Sequence, residues 1–290
     1  MTTATLYIVA TPIGNLEDMT YRAVRILGEV DLIAAEDTRH SLKLLNHFGI
    51  SKPLTSYFDH NQQLKGERIL NALRRGKSVA LISDAGTPCI SDPGYQLVRD
   101  AVAEGIPVVP LPGASAAITA LSASGLPTDI FTFAGFPPSR QGKRRTFLSG
   151  MSALPGTLIL YEAPHRLVDT LTDIRELLGE RQVIVARELT KMFEECIRGT
   201  VSEVIATLSQ DVVRGEVVLL IAPGTAAPQD SESLEHVLIR LMTDGSLSIK
   251  DIAKQAAMIS GVSRSEAYSE ALKMKNDGFK RYKNSGITDG

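Results

Sequence analysis

The chain has no tryptophan, only two cysteines, Cys89 and Cys196, in 290 residues, and 5% aromatic residues. Two cysteines outside any Cys-x-x-Cys or Cys/His spacing cannot build a disulfide framework, which predicts a reduced, cytoplasmic setting. The five histidines, His40, His47, His60, His165 and His236, make neither His-x-x-x-His nor His-Glu-x-x-His, so no metal site is expected. Apolar runs stay short of the roughly 18 residues a membrane span needs, and no basic segment precedes an apolar run at the N-terminus, so no membrane or secretory role is expected. The sequence also lacks GxxxxGK[ST], GxGxxG and GxSxG, the usual signs of triphosphate hydrolysis, Rossmann dinucleotide binding and a serine nucleophile. Lys and Arg number 31 against 33 Asp and Glu, a formal charge of −2. That balance excludes nucleic-acid binding by blanket electrostatics and leaves room for a local basic patch.

What is present is an alternation of short apolar runs and helical-period segments. Leu6 to Ala10, Val30 to Ala35, Val79 to Ile82 and Val108 to Leu111 read as buried strands. Met19 to Leu27, the Leu42, Leu45 and Phe48 segment, Leu64 to Arg75 and Tyr95 to Glu104 read as helices, the last three closed by Gly49, Gly76 and Gly105. Such βα winding predicts a mostly parallel sheet. A break at 131–145 carries Pro137-Pro138 and the basic residues Arg140, Lys143, Arg144 and Arg145. Strands then follow at Thr157 to Tyr161, Gln182 to Ala186, Glu194 to Arg198 and Glu216 to Ile221, with helices at Pro164 to Leu178 and Ser202 to Leu208; adjacent strands without helices between them predict a mixed second sheet. The expected organisation is α/β: an N-terminal α/β domain over 1–118, a second over 119–226, a polar linker over 223–233, and a helical appendage over 234–290. The appendage shows two helices, 247–257 and 264–275, around Ser260-Gly261-Val262-Ser263, which reads as a helix-turn-helix or as a helical hairpin tied to the body or to another subunit.

Four loops of small residues stand at strand ends: Ala10-Thr11-Pro12-Ile13-Gly14-Asn15, Ser83 to Gly94, Pro110 to Ala116, and Ala222-Pro223-Gly224. The second of these, Ser-Asp-Ala-Gly-Thr-Pro-Cys-Ile-Ser-Asp-Pro-Gly, is too rich in Gly and Pro to build core and lets a ligand lie against the main chain; the competing reading is a tight βα turn with Asp caps. With Glu36, Asp37, Asp84 and Asp92 beside them, these loops suit a flat, mostly neutral ligand held through backbone groups.

The ordered set Val9 to Leu16, Ala35-Glu36-Asp37-Thr38-Arg39, Ser83 to Gly94, Pro112 to Ala116, Ala186 to Lys191 and Arg214 to Val218 resembles the ribosomal RNA small subunit methyltransferases of the tetrapyrrole methylase superfamily. The likeness covers roughly 5–225. It implies two α/β domains with S-adenosylmethionine in the cleft between them, usually in a homodimer, and methylation of a cytidine ribose 2′-hydroxyl in 16S ribosomal RNA, whether free or in an assembled small subunit. The cofactor loops of the superfamily map onto Pro12, Gly14, Asp84, Ala85, Gly86, Thr87, Pro88, Ile90, Ser115, Ala116, Tyr161, Glu162, Ala186, Arg187, Ala222 and Pro223. Tetrapyrrole-pathway relatives carry a Gly-rich first loop and a GGDP-like second loop; this chain departs from both.

A sulfonium methyl is a strong electrophile, so the protein has mainly to align the nucleophile and exclude water. Glu36, Asp37, Glu162, Glu188 and Lys191 are the candidates for taking the hydroxyl proton, with structural ion pairs beside Arg39 or Arg187 as the competing use of the acids. Arg39, Arg140, Lys143, Arg144, Arg145, Arg166 and Lys191 are the candidates for holding the RNA backbone, with a solvated loop as the competing reading of 140–145. Two other functions fit the same residues less well: a methyltransferase acting on a small tetrapyrrole, and a non-catalytic RNA-binding module.

Overall fold

The structure, a computed structural model, describes residues 4–58, 62–209, 213–224, 233–243, 247–260 and 262–276. It divides into two compact units, Met1–Gly224 and Thr225–Gly290.

In the first unit, β1 (Leu6–Val9), β2 (Leu32–Ala35), β3 (Leu54–Ser56), β4 (Val79–Ile82) and β5 (Val108–Leu111) form a wholly parallel sheet in the order β3-β2-β4-β1-β5. Its strands are apolar on both faces because both are covered. Val9, Ile33, Ala80 and Ile82 pack with Ile26 and Leu27 of α1 (Tyr21–Glu29) and Leu45 of α2 (Thr38–His47). Leu6, Ile8, Ala34 and Leu81 pack with Ile69 and Leu73 of α3 (Gln62–Arg74) and Leu97 of α4 (Tyr95–Ala103) on the other side. β3, only three residues long and half-buried, was not marked by any apolar run.

α5 (Ala116–Ser124) leads to the second sheet, and the expected boundary at 118/119 falls inside it. Its small apolar residues Ala117, Ala120 and Leu121 pack against Ile159, Ile184, Val218 and Leu220. That sheet holds β6 (Phe131–Phe133), β7 (Thr157–Glu162), β8 (Gln182–Arg187), β9 (Glu195–Thr200) and β10 (Val217–Ile221) in the order β6-β7-β10-β8-β9. Only β6 and β7 run parallel; the other pairs are antiparallel, so the sheet is mixed as expected. α6 (Gln141–Ser149), α7 (Leu167–Leu178) and α8 (Val201–Leu208) cover its other face through Leu148, Leu171, Ile174, Val204 and Leu208.

The break expected at 131–145 therefore contains a strand and most of a helix, and one of its basic residues is structural. Arg144 is 3% exposed and donates to the Asp173 carboxylate at 2.7 Å. It is not available to clamp RNA, contrary to the expectation from sequence; a charge this deep persists because its partner lies 29 residues away on α7. Arg145, half-buried, is shared between Asp173 and Glu176. Arg140 caps α6 through its backbone and Lys143 follows one turn later; both are exposed.

The second unit contains three helices among its described residues, not two: α9 (Leu234–Thr243), α10 (Ile249–Ser260) and α11 (Arg264–Asn276). Each begins at a serine, Ser233, Ser248 or Ser263, whose hydroxyl accepts an N–H of the first turn. Val237, Leu238, Ile252, Ala256, Ala267 and Ala271 form their common core. Most of the linker expected at 223–233, Gly261 of the expected turn, and 277–290 lie outside the described residues.

Candidate active site

The loops that follow β1, β2, β4 and β5 meet at the carboxyl ends of the first sheet, where open α/β sheets form their ligand crevice. Thr11 and Gly86 exchange backbone hydrogen bonds of 2.9 and 3.0 Å, and the Thr11 hydroxyl donates to the Ser83 carbonyl. Asp84 accepts the Asp37 N–H at 3.0 Å, tying the β4 loop to the β2 loop. The Thr87 hydroxyl donates to the Ala114 carbonyl at 3.0 Å, tying it to the β5 loop. Two glycines are required by this knot. Gly86 sits at φ +78°, and a Cβ on Gly113 would lie 2.6 Å from that of Ala10. Among the described residues, the non-glycine positions with positive φ are Cys89 (72°), Ser91 (65°), Glu188 (52°) and Thr190 (65°), and all four belong to loops that border the same cavity. Left-handed backbone at non-glycine residues is costly and gathers at ligand clamps.

The cavity measures about 280 Å³ and lies between these loops and the second sheet. From the first sheet's loops come Ile13, Ala85, Gly86, Thr87, Ile90, Ser91 and Asp92; Ser115 and Ala116 bring the N-terminus of α5. From the second sheet come Phe136, Tyr161, Glu162, Ala163, Pro164, Leu189 and the segment 215–218. Its charged lining residues are all acidic: Asp92, Glu162 and Glu216.

Glu162 has a side chain 0% exposed, yet it is fully partnered: its carboxylate accepts from the Ala163 N–H at 2.8 Å and the Thr170 hydroxyl at 2.6 Å and pairs with Arg166 at 3.2 Å. The Tyr161 hydroxyl accepts the Ala117 N–H at the head of α5, and burial pushes its pKa above the ordinary value, with the Asp92 charge adding to the rise. Burial also pushes the Cys89 thiol up to about 11, with Asp92 reinforcing it, so Cys89 is an inert thiol. Lys191 donates to Glu188 at 3.0 Å and to Glu216 at 3.1 Å. Burial alone would lower its ammonium, but the two carboxylates outweigh it and hold the ammonium above its ordinary value. Glu188 is correspondingly held low, first by Lys191.

Of the residues expected to hold a cofactor, Ala85, Gly86, Thr87, Ile90, Ser115, Ala116, Tyr161 and Glu162 line the cavity. Asp84 and Pro88 shape the loop behind that wall, Pro12 is buried next to Ile13, and Gly14 packs against Lys191. Ala186 is buried in β8, and Arg187 pairs with Glu195 on β9. Ala222 and Pro223 follow the far end of β10, whose other end, Val217 and Val218, meets the cavity. The segment 215–218 lines the cavity; it lay within the quoted Arg214 to Val218 motif without being assigned a role. Of the candidate bases, Glu162 alone lines the cavity; Asp37 caps α2 and pairs with Arg39, whose side chain is 90% exposed. Asp92, expected beside the ligand loops, lines the cavity, whereas Phe136 and Glu216 were not singled out in the sequence, because the fold of the second sheet and not their place in the chain brings them there.

A family model described as Tetrapyrrole (Corrin/Porphyrin) Methylases matches residues 5–205. A ribosomal RNA small subunit methyltransferase I of Halalkalibacterium halodurans is 54% identical over 217 residues, 75% of each chain. One of Pseudomonas aeruginosa, with the same name, is 48% identical over 277 residues, 94% of this chain and 98% of that one. This chain belongs to the ribosomal RNA small subunit methyltransferase I family of the tetrapyrrole methylases. The fold carries further: a solved uroporphyrin-III C-methyltransferase of Thermus thermophilus, complexed with S-adenyl homocysteine, superimposes with a TM-score of 0.52 at 21% identity over 76% of this chain and 97% of that one. The shared fold accounts for the paired sheets.

Proposed function

We propose that this chain transfers the methyl group of S-adenosylmethionine to the ribose 2′-hydroxyl of a cytidine in 16S ribosomal RNA. The observation that carries the reading is near-full-length identity to relatives of that name, 48% over 94% of the chain.

The cavity fits the cofactor. Its size is close to the lower end of small-molecule sites, and the small residues Ala85, Gly86 and Ala116 are part of its lining, which leaves backbone accessible to a ligand. Three acidic residues line it, of which Glu162 is paired with Arg166 and Glu216 with Lys191. S-adenosylmethionine, when bound, supplies an electrophilic methyl group. The chain's part is to orient the ribose, exclude water and accept the hydroxyl proton. The site carboxylates in the cavity wall are Asp92, Glu162 and Glu216. Glu162 already accepts from three groups, so it serves best as a fixed part of the wall, and Lys191, beside the cavity, holds its proton between two carboxylates.

Outside the cavity the exposed cations Arg140 and Lys143 lie close in sequence to Phe136 on its wall, and we assign them to the RNA backbone. The remaining parts of the reading are a homodimer, a cytoplasmic location and an assembled small subunit as the substrate. Mapping ribose methylation on 16S RNA from a strain lacking the gene tests the whole: loss of one cytidine 2′-O-methyl, restored by the wild-type gene, is expected, and an unchanged methylation map overturns it.

A further inference from the structure

We infer that Phe136 is the stacking platform for the base of the target nucleotide and that Arg166 is the positioning residue that fixes it; the inference rests on the RNA-methylating function proposed above. The aromatic residues of the cavity lining are Phe136 and Tyr161. They differ in kind. Tyr161 is half-buried, with its hydroxyl committed to the head of α5, whereas Phe136 is 56% exposed. An exposed phenylalanine on a surface loop ordinarily moves freely, but this one is held from three directions. The Tyr161 N–H donates to the Gly135 carbonyl at 2.9 Å. Arg166 donates to the Pro137 carbonyl at 2.6 Å. The ring itself meets Tyr161 edge-on, centroids 5.4 Å apart.

Arg166 is fixed in turn. It pairs with the buried Glu162 carboxylate, which Thr170 and the Ala163 N–H also engage, so its reach to Pro137 is set by the end of β7 and not by solvent. With that commitment Arg166 is a poor candidate for a phosphate clamp. A rigid aromatic face at the mouth of a cavity, close in the chain to the exposed cations Arg140 and Lys143, matches the chemistry of single-stranded RNA, in which an unstacked base lies on an aromatic side chain while cations follow the backbone. Bringing a ribose to a buried methyl donor requires that its base leave the RNA stack, and a preformed platform offsets that loss.

The experiment measures KM for small ribosomal subunits, kcat, and the dissociation constant of S-adenosylmethionine by calorimetry, for wild type and for Phe136→Ala, Phe136→Leu and Phe136→Tyr. Position 136 is exposed, so these variants fold. The Ala and Leu variants are expected to raise KM at least about fivefold, the loss of one stacked base. Tyr, which keeps the ring, should restore it, and cofactor affinity should stay within about twofold of wild type. Arg166→Lys, which keeps a cation beside Glu162 but loses the planar fork, should raise KM in the same direction. A parallel fall in cofactor affinity would place the ring over the cofactor and overturn the proposal; a Leu variant as good as wild type would reduce Phe136 to apolar filler and also overturn it. Wild-type protein that methylates no RNA would instead remove the function on which the proposal rests, a result separate from either.

Discussion

Thr11 and Gly86 face each other across the ends of β1 and β4 and exchange both backbone hydrogen bonds, 2.9 and 3.0 Å, an isolated antiparallel bridge between two parallel strands. The bridge holds the first and second ligand loops at a fixed separation and leaves Gly86, at φ +78°, with only Ile13 and the Ala114 carbonyl near its missing side chain. Gly86→Val puts a β-branched residue where left-handed backbone costs about 1–3 kcal/mol and projects methyl groups into the cavity. Calorimetry should find S-adenosylmethionine affinity lowered more than about tenfold in a protein with an unchanged far-ultraviolet spectrum. Wild-type affinity in the folded variant would count against the cavity as the cofactor site.

The basic group at 140–145 separates into two pairs with opposite duties. Arg144→Ala leaves the buried Asp173 short of its main partner and should destabilise the protein by about 3 kcal/mol, read as a lower urea midpoint at constant slope. Replacing Arg140 and Lys143 together by Ala should leave that midpoint within about 0.5 kcal/mol, weaken RNA binding, and reduce the salt dependence of binding by roughly one to two ions. Equal effects of the two substitutions on stability would refute the division.

How much of this was legible in the sequence depended on whether the signal was local. The buried strands β1, β4 and β10 are continuous apolar runs, and Gly49, Gly76 and Gly105 mark helix ends, so the first sheet was readable throughout except for β3. β3 and β6, three residues each, carry too few side chains to show a period. α5 was hidden because Ala, Ser and Thr suit a loop as well as a helix packed closely on a sheet. Arg144 read as surface charge since its carboxylate partner is on another helix. The ligand loops declared themselves through glycine and proline, whereas the Phe136 and Glu216 side of the site depends on how the second sheet meets the first, which no local pattern records.

The Lys191 contacts make a pH prediction. Its ammonium is held above the ordinary 10.5, so the stability it contributes is full below that pH and is lost as the pH rises through the folded value. Glu188 is held below the ordinary 4.5, so its share is full above that pH and is lost as the pH falls through the folded value. The stability difference between wild type and Lys191→Met should therefore be flat between pH 4.5 and 10.5 and shrink outside that window. A difference that changes near neutrality would mean that another group controls the loop.

The core of the three C-terminal helices is their own, as is that of the body up to Gly224. A chain ending at Gly224 should fold cooperatively and bind S-adenosylmethionine with wild-type affinity while methylating small subunits less efficiently. Loss of cofactor binding in the folded truncation would make the helices part of the site.

The most direct test of the central claim is transfer of a tritiated methyl group from S-adenosylmethionine to small ribosomal subunits lacking the modification, followed by alkaline hydrolysis of the 16S RNA. A 2′-O-methyl blocks cleavage at its own phosphodiester, so the account predicts label in one alkali-resistant dinucleotide beginning with cytidine. Label on a base, label in a small molecule, or no label in RNA from a protein that binds the cofactor would contradict it.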